Sequence, residues 1–288
     1  MKRKSILYLK LFSFLFIIYS CIKTPEAKIL YKFPFSSRQN IFFMRMQEIK
    51  LNSFKFFESK KIREVYIVKF EEGKVENYLG LNGKEVIFDR SERIDISYNE
   101  KFLVVEREKN FEIFKLPNMN LIKEIKGNYP RFYKDSIITF EKGDSIYAYN
   151  FLSDKIDVFD KGKCPVIRKD NLFYFKSGKV FILDLKNGLK DSLLINGVEF
   201  INPDVSFNGS KLSFISDFKL MVYDIKMGNL DTFKMDIEYG GYSFFKTSPP
   251  YPRWTFDDRI IMRNKEAIYL FIPETMEIVE IVRNFSEY

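Results

Sequence analysis

Arginines beside prolines are the first residues here whose type and spacing suggest chemistry. Arg131 and Arg253 directly follow Pro130 and Pro252, and tyrosines, Tyr129 and Tyr251, precede those prolines. Arg93 stands at a related place, ahead of Ile94-Asp95-Ile96-Ser97. A guanidinium is a planar fork that grips a carboxylate or phosphate through two parallel hydrogen bonds. Converging arginines would suit an anion; otherwise they cap loops or pair with Asp135, Asp257 or Asp258. A second candidate is the run from Ile237 to Trp254, where Gly240, Gly241, Pro249 and Pro250 enforce a loop. It carries the single tryptophan, Trp254, with Tyr239, Tyr242, Phe244, Phe245, Tyr251 and Arg253. Exposed, these residues have the composition of a binding hot spot. Folded back over the body, the same rings are packing.

What is missing narrows the chemistry. The chain has no histidine, which excludes Ser-His-Asp and Cys-His catalysis and His-ligated metal sites. Acid–base work would rest on carboxylates, lysine or tyrosine. There is no Gly-x-Ser-x-Gly elbow, and Gly83-Lys84-Glu85 lacks the Ser or Thr of a phosphate loop. No run has the Asp/Asn spacing of a calcium loop. No catalytic residue is assigned and no cofactor is expected. Carboxylate pairs, or scattered acids around a metal, keep a hydrolase of the propeller lactonase kind open as the alternative.

The elements that position these residues come from repetition. Pro130-Arg-Phe-Tyr-Lys134-Asp135 and Pro165-Val-Ile-Arg-Lys169-Asp170 share the proline and the Lys-Asp pair at identical offsets. Looser copies start at Pro203 and Pro252, and one without proline starts at Ile94. Within a copy, a short strand leads through an Asn/Asp/Gly turn to an apolar strand, then a third strand, then a more polar fourth. Asn, Asp and Gly close tight hairpins because they tolerate left-handed backbone or bond their own main chain. The predicted second strands are Phe102–Glu106, Ile137–Phe140, Leu172–Phe175, Leu212–Ile215 and Ile260–Arg263. The prolines are expected just ahead of the first strands. No sustained 3.6-residue apolar period occurs after the leader. Four antiparallel strands per roughly 40 residues, repeated radially, describe an all-β fold, the β-propeller. Residues 40–80 supply one more set (Ile41–Met46, Phe54–Phe57, Glu64–Phe70, Val75–Leu79), predicting six blades, and Ala27–Phe33 is read as a closing strand.

Residues 202–232 resemble the TolB-like and WD-like propeller repeats of exported bacterial proteins. The likeness rests on Asn202-Pro203-Asp204-Val205-Ser206-Phe207-Asn208-Gly209, then Tyr223-Asp224-Ile225 and Gly228-Asn229-Leu230. It implies a binding platform for a protein or polymer partner in the cell envelope. Propellers generally bind at the funnel around the central channel, which makes Arg93, Tyr129, Arg131, Tyr251 and Arg253 candidates. An anion sensor acting through Arg131 and Arg253 is a further reading.

The N-terminus addresses location. Met1-Lys2-Arg3-Lys4 is a basic start, and the apolar core Leu11–Ile18 is far short of the ~20 residues that cross a bilayer. That is the form of a secretory signal. Its end, Ile18-Tyr19-Ser20-Cys21, resembles the bacterial lipobox, which implies cleavage before Cys21 and acylation of that cysteine, palmitate included. An ordinary cleaved signal and an uncleaved anchor are the alternatives. The expected layout is a signal over 1–20, a lipidated tether and closing strand over 21–36, and the propeller over 37–288. Lipid on Cys21 would leave Cys164 without a disulfide partner and hold the protein to the membrane in the envelope. The formal charge of +8 includes Lys2, Arg3, Lys4 and Lys10 of the leader. The remaining excess is solubility charge rather than a nucleic-acid footprint.

Overall fold

The computed structural model describes residues 27–36, 40–52, 57–69, 75–79, 93–198, 200–217, 219–233, 252–263 and 267–283, with side chains from Arg93 onward. The proposed signal and Cys21 lie outside the described residues, as do Tyr239, Tyr242, Phe244, Phe245 and Tyr251 of the candidate loop. No helix among the described residues is long and apolar enough to cross a membrane.

Every strand belongs to a four-stranded antiparallel sheet. The leading sheet comprises β1 (Ala27–Ser36), β2 (Asn40–Asn52), β3 (Phe57–Lys69) and β4 (Val75–Leu79). The first repeat blade follows with β5 (Arg93–Ile96), β6 (Phe102–Glu106), β7 (Asn110–Lys115) and β8 (Asn120–Lys126). The second is β9 (Asn128–Lys134), β10 (Ile137–Lys142), β11 (Ser145–Asn150) and β12 (Lys155–Lys161). The third is β13 (Lys163–Arg168), β14 (Asn171–Lys176), β15 (Lys179–Asp184) and β16 (Lys190–Leu194). The fourth is β17 (Ile201–Val205), β18 (Lys211–Ser216), β19 (Lys219–Asp224) and β20 (Leu230–Phe233). The fifth is β21 (Arg253–Trp254), β22 (Ile260–Arg263), β23 (Ala267–Ile272) and β24 (Glu277–Arg283).

The fold is thus an all-β propeller of four-stranded blades. The expectation of six blades is corrected: five carry the repeat, and the leading sheet has a different build. Of the set predicted over 40–80, Val75–Leu79 forms as drawn, as β4, while Ile41–Met46 is part of a longer strand. Both β2 and β3 are 13-residue strands, paired without interruption from Asn40↔Lys69 to Asn52↔Phe57. The charged run Glu58–Arg63 reads as a turn in sequence but continues β3. The first strand of that sheet is β1, whose backbone lies beside β5 on one side and β21 to β23 on the other.

The repeat prolines are also corrected. Pro130, Pro165 and Pro203 lie inside β9, β13 and β17, not ahead of them. Each sits at an irregularity where the pairing register shifts, between Asn128 and Arg131, Lys163 and Val166, and Ile201 and Asp204. The residue before each proline is left-handed: Tyr129 at φ 54°, Cys164 at 51° and Asn202 at 51°. A proline has no N–H to give to a ladder, so a bulge is where a strand tolerates it.

Blades pack face to face. Val104, Phe111 and Ile113 of the first meet Phe132, Ile138 and Phe140 of the second. Val166 and Phe173 of the third meet Val205, Leu212 and Phe214 of the fourth. Middle strands buried on both faces explain uninterrupted apolar runs such as Leu172-Phe173-Tyr174-Phe175. Fourth strands face water, and β8 and β12 are almost wholly exposed.

Two glycines keep the repeat tight. Gly127 and Gly162 each stand three residues before a proline. A Cβ on Gly127 would come within 2.5 Å of Phe140 Cδ2 and 2.9 Å of the Glu141 carbonyl oxygen. One on Gly162 would collide with the buried Tyr174 ring and crowd the Phe175 carbonyl oxygen at 3.2 Å. Gly162→Ala is expected to destabilise the chain by about 1–3 kcal/mol through overpacking. Urea denaturation measures this, and an unchanged midpoint would mean that the ring gives way freely.

Candidate functional site

The five blades place their innermost strands around one channel, and one repeat position lines it. Counting from the proline, or from Ile94 where it is absent, the next residue is Asp95, Arg131, Val166, Asp204 and Arg253 in turn. The four charged side chains meet, while Val166 packs in the core between the third and fourth blades. Asp95 Oδ1 lies 3.0 Å from Arg253 Nη2, and Asp95 Oδ2 lies 3.7 Å from Arg131 Nε. Arg131 Nη2 donates to Asp204 Oδ1 at 2.6 Å. Arg168, from the end of β13, reaches the same oxygen at 3.5 Å and donates from Nε to the Val205 carbonyl at 3.1 Å. Three guanidinium groups and two carboxylates are therefore buried together.

Each carboxylate also ties one blade to the next. Asp95 accepts from the Phe132 N–H at 2.9 Å, and Asp204 from the Trp254 N–H at 3.0 Å. Glu106 and Glu141, at or near the ends of second strands, accept from the N–H groups of left-handed Tyr129 (3.0 Å) and Cys164 (2.9 Å). At the hairpin turns Asp135 accepts from Asn99 N–H and Asp258 from Asn208 N–H. These acceptors satisfy backbone groups that a strand edge would leave bare.

Farther along the channel, Arg93 donates to Glu106 Oε2 at 2.9 Å and to Asn202 Oδ1 at 3.3 Å. Its guanidinium lies 3.4 Å from the centroid of the Tyr129 ring, a cation–π contact. Burial pushes the Asp95 carboxyl up, against the pull of Arg131 and the Phe132 N–H. Burial likewise raises Glu141, opposed by the Cys164 N–H and Lys163.

The structure brings Arg93, Tyr129, Arg131 and Arg253 of the candidate residues to the channel. Their partners differ from the expected ones. Asp135 and Asp258 hold hairpin backbone, Asp257 holds Thr255 and Arg259, Asp95 and Asp204 take Arg131 and Arg253, and Glu106 takes Arg93. Trp254 is 4 % exposed and packs against Ile215, Leu220 and Phe271, so its ring is core and offers no contact face. Sequence reasoning missed Arg168, whose copy of the repeat has serine or threonine at that offset in three other blades. Among the described residues no group of three or more His, Cys, Asp or Glu side chains could hold a metal ion.

Depressions lie at both ends of the channel. At the hairpin end a hollow of about 790 Å³ is walled by Tyr98, Tyr133, Lys169, Arg168 and Phe207. It adjoins a narrow throat of about 30 Å³ bordered by Asp95, Arg131 and Arg253. At the opposite end a hollow of about 740 Å³ is walled by Tyr129, Lys163, Cys164, Lys176 and Phe200.

No known protein family matches the chain, and no curated protein matches it. Solved structures do. One is Hsv2 of Kluyveromyces lactis with its loop 6CD replaced by a Gly-Ser linker: 14 % identity, 90 % of this chain and 99 % of that one, TM-score 0.53. Another is Kluyveromyces marxianus Hsv2, at 13 % identity, 91 % of this chain and 100 % of that one, TM-score 0.51. At such identities the likeness is one of fold: this chain is built as a β-propeller.

Proposed function

We propose that this chain is a non-catalytic interaction platform, a propeller held to a bacterial envelope membrane by lipid on Cys21 and presenting its channel ends to a protein or polymer partner. One observation carries the platform reading. The acids that converge on the channel, Asp95 and Asp204, are each engaged by guanidinium and backbone N–H groups, while broad hollows lie open at both ends. Neither acid is placed to serve as a free general base or nucleophile. The likeness of 202–232 to TolB-like repeats supports a subunit of an envelope complex as the concrete form of this role.

A photo-reactive residue at Lys169 or Lys176, one at each hollow, is expected to give a discrete crosslinked product in the native membrane fraction. The same group at Lys155 on the outer strand β12 should not. Absence of any discrete product from both hollows would end the platform reading. The tether has a separate test. Cys21→Ala is expected to move the protein from the membrane to the soluble fraction and abolish palmitate labelling; continued labelling would show that Cys21 is not the acylated residue.

A further inference from the structure

The geometry points to an anion-binding funnel at the hairpin end of the channel, with Arg131 and Arg253 receiving the charged head of a planar organic carboxylate and Tyr98 and Phe207 together forming one wall beside its body. This goes beyond the platform reading and depends on neither the tether nor the partner.

The head group is specified by charge, donors and size. Among the described residues the carboxylates within reach of Arg131, Arg168 and Arg253 are Asp95 and Asp204, which leaves one positive charge in excess on the throat. Among the described residues Arg253 gives one hydrogen bond, from Nη2 to Asp95. Arg131 likewise gives one, from Nη2 to Asp204, its Nε standing 3.7 Å from Asp95. A guanidinium has five N–H donors in a fixed fork, so both arginines border the throat with donors in hand. The throat has a volume of about 30 Å³. A water-sized group needs on the order of 10–15 Å³ on this measure, so about two such atoms fit, as in the two oxygens of a carboxylate.

The body is specified by the walls. Tyr98, Arg168 and Phe207 border both the throat and the wide hollow, making one continuous funnel. Tyr98 and Phe207 meet edge to face at 5.6 Å, and Phe207 meets Phe256 at 4.3 Å. Arg168 stands 5.7 Å from the Phe207 ring and is fixed by the Val205 and Ile167 carbonyls. Fixed aromatic faces beside a guanidinium favour a flat, apolar body ahead of a compact, strongly hydrated ion.

The test uses the full chain in detergent, titrated calorimetrically with indole-3-acetate, its neutral analogue indole-3-acetamide, and inorganic phosphate. Indole-3-acetate is expected to bind saturably and raise the melting temperature by a few degrees, with the amide and phosphate at least tenfold weaker. Arg253→Lys, which keeps the charge but removes the fork, should weaken indole-3-acetate at least tenfold, and Phe207→Leu should weaken it several-fold. If Arg253→Lys does not fold, Phe207→Leu decides. The inference is overturned if indole-3-acetate gives no saturable signal, if amide or phosphate binds as tightly, or if the folded variants bind it unchanged.

Discussion

Replacing Asp204 with alanine is expected to lower the stability of the folded chain by about 3–5 kcal/mol, as removal of one partner from a buried ion pair does. The side chain is 1 % exposed and accepts from Arg131, from the Trp254 N–H and from its neighbour Val205 N–H, with Arg168 also in reach. Without it, three buried guanidinium groups share the single carboxylate of Asp95. At this chain length the change corresponds to a fall in melting temperature of about 10 °C. Asp204→Asn keeps one acceptor oxygen but loses the charge and the second acceptor, so a loss smaller than that of alanine is expected. The diagnostic is the double variant. Adding Arg131→Leu to Asp204→Ala should recover stability, because the penalty lies in leaving a cation uncompensated and not in losing an attraction. Chemical denaturation of all four proteins provides the numbers. A loss below about 1 kcal/mol for Asp204→Ala would show that water reaches this lattice freely.

The second large effect concerns Cys164, a free thiol. Burial pushes its ionisation up to about 12, and the neighbouring Glu141 charge adds to the rise. A thiol must ionise to react. Against the ordinary value of 9.0, the thiolate fraction at pH 8 falls roughly a thousandfold. The more basic thiolate is intrinsically the better nucleophile and recovers about twentyfold, leaving alkylation ~40-fold slower. Because the pKa is raised, the rate should go on climbing about tenfold per pH unit from 8 to 10, where an ordinary thiol levels off near 9. Iodoacetamide labelling read by mass spectrometry on the peptide containing Cys164 checks both the rate and the slope. A rate matching that of a free cysteine peptide would place the thiol in open solvent.

Sequence legibility divides by distance along the chain. Proline spacing and Asn/Asp/Gly turns are local signals, and they located β6 and β22 to the residue and most other blade strands to within two. In the leading sheet β1 and β4 were legible, but the long β2–β3 pair escaped because Lys60, Lys61 and Arg63 look like a turn while the backbone runs on through them. Left-handed Tyr129 and Cys164 escaped because neither is a glycine, and their conformation comes from the bulge and the acceptor on the preceding blade. The arginines at the channel could be guessed from the repeat. Their partners could not: Arg131 with Asp204, Arg93 with Asn202 and Arg253 with Asp95 are 73, 109 and 158 residues apart, and only the closed arrangement of blades brings them together.

That same division sets an order of assembly. The carboxylate-to-backbone links join consecutive blades, at separations of 23 to 50 residues, so each joint is complete once its second blade has emerged. The contacts of Arg131 and Arg93 across the channel wait for β17, which brings Asn202 and Asp204 at once, and that of Arg253 with Asp95 waits for β21. A chain stopped before β17 would hold Arg131 against Asp95 alone and leave Arg93 without Asn202, with positive charge turned toward a half-built interior. Such a fragment repels its own closure, whereas arrival of the fourth blade converts that repulsion into attraction, and Arg253 of the fifth completes the clasp at Asp95.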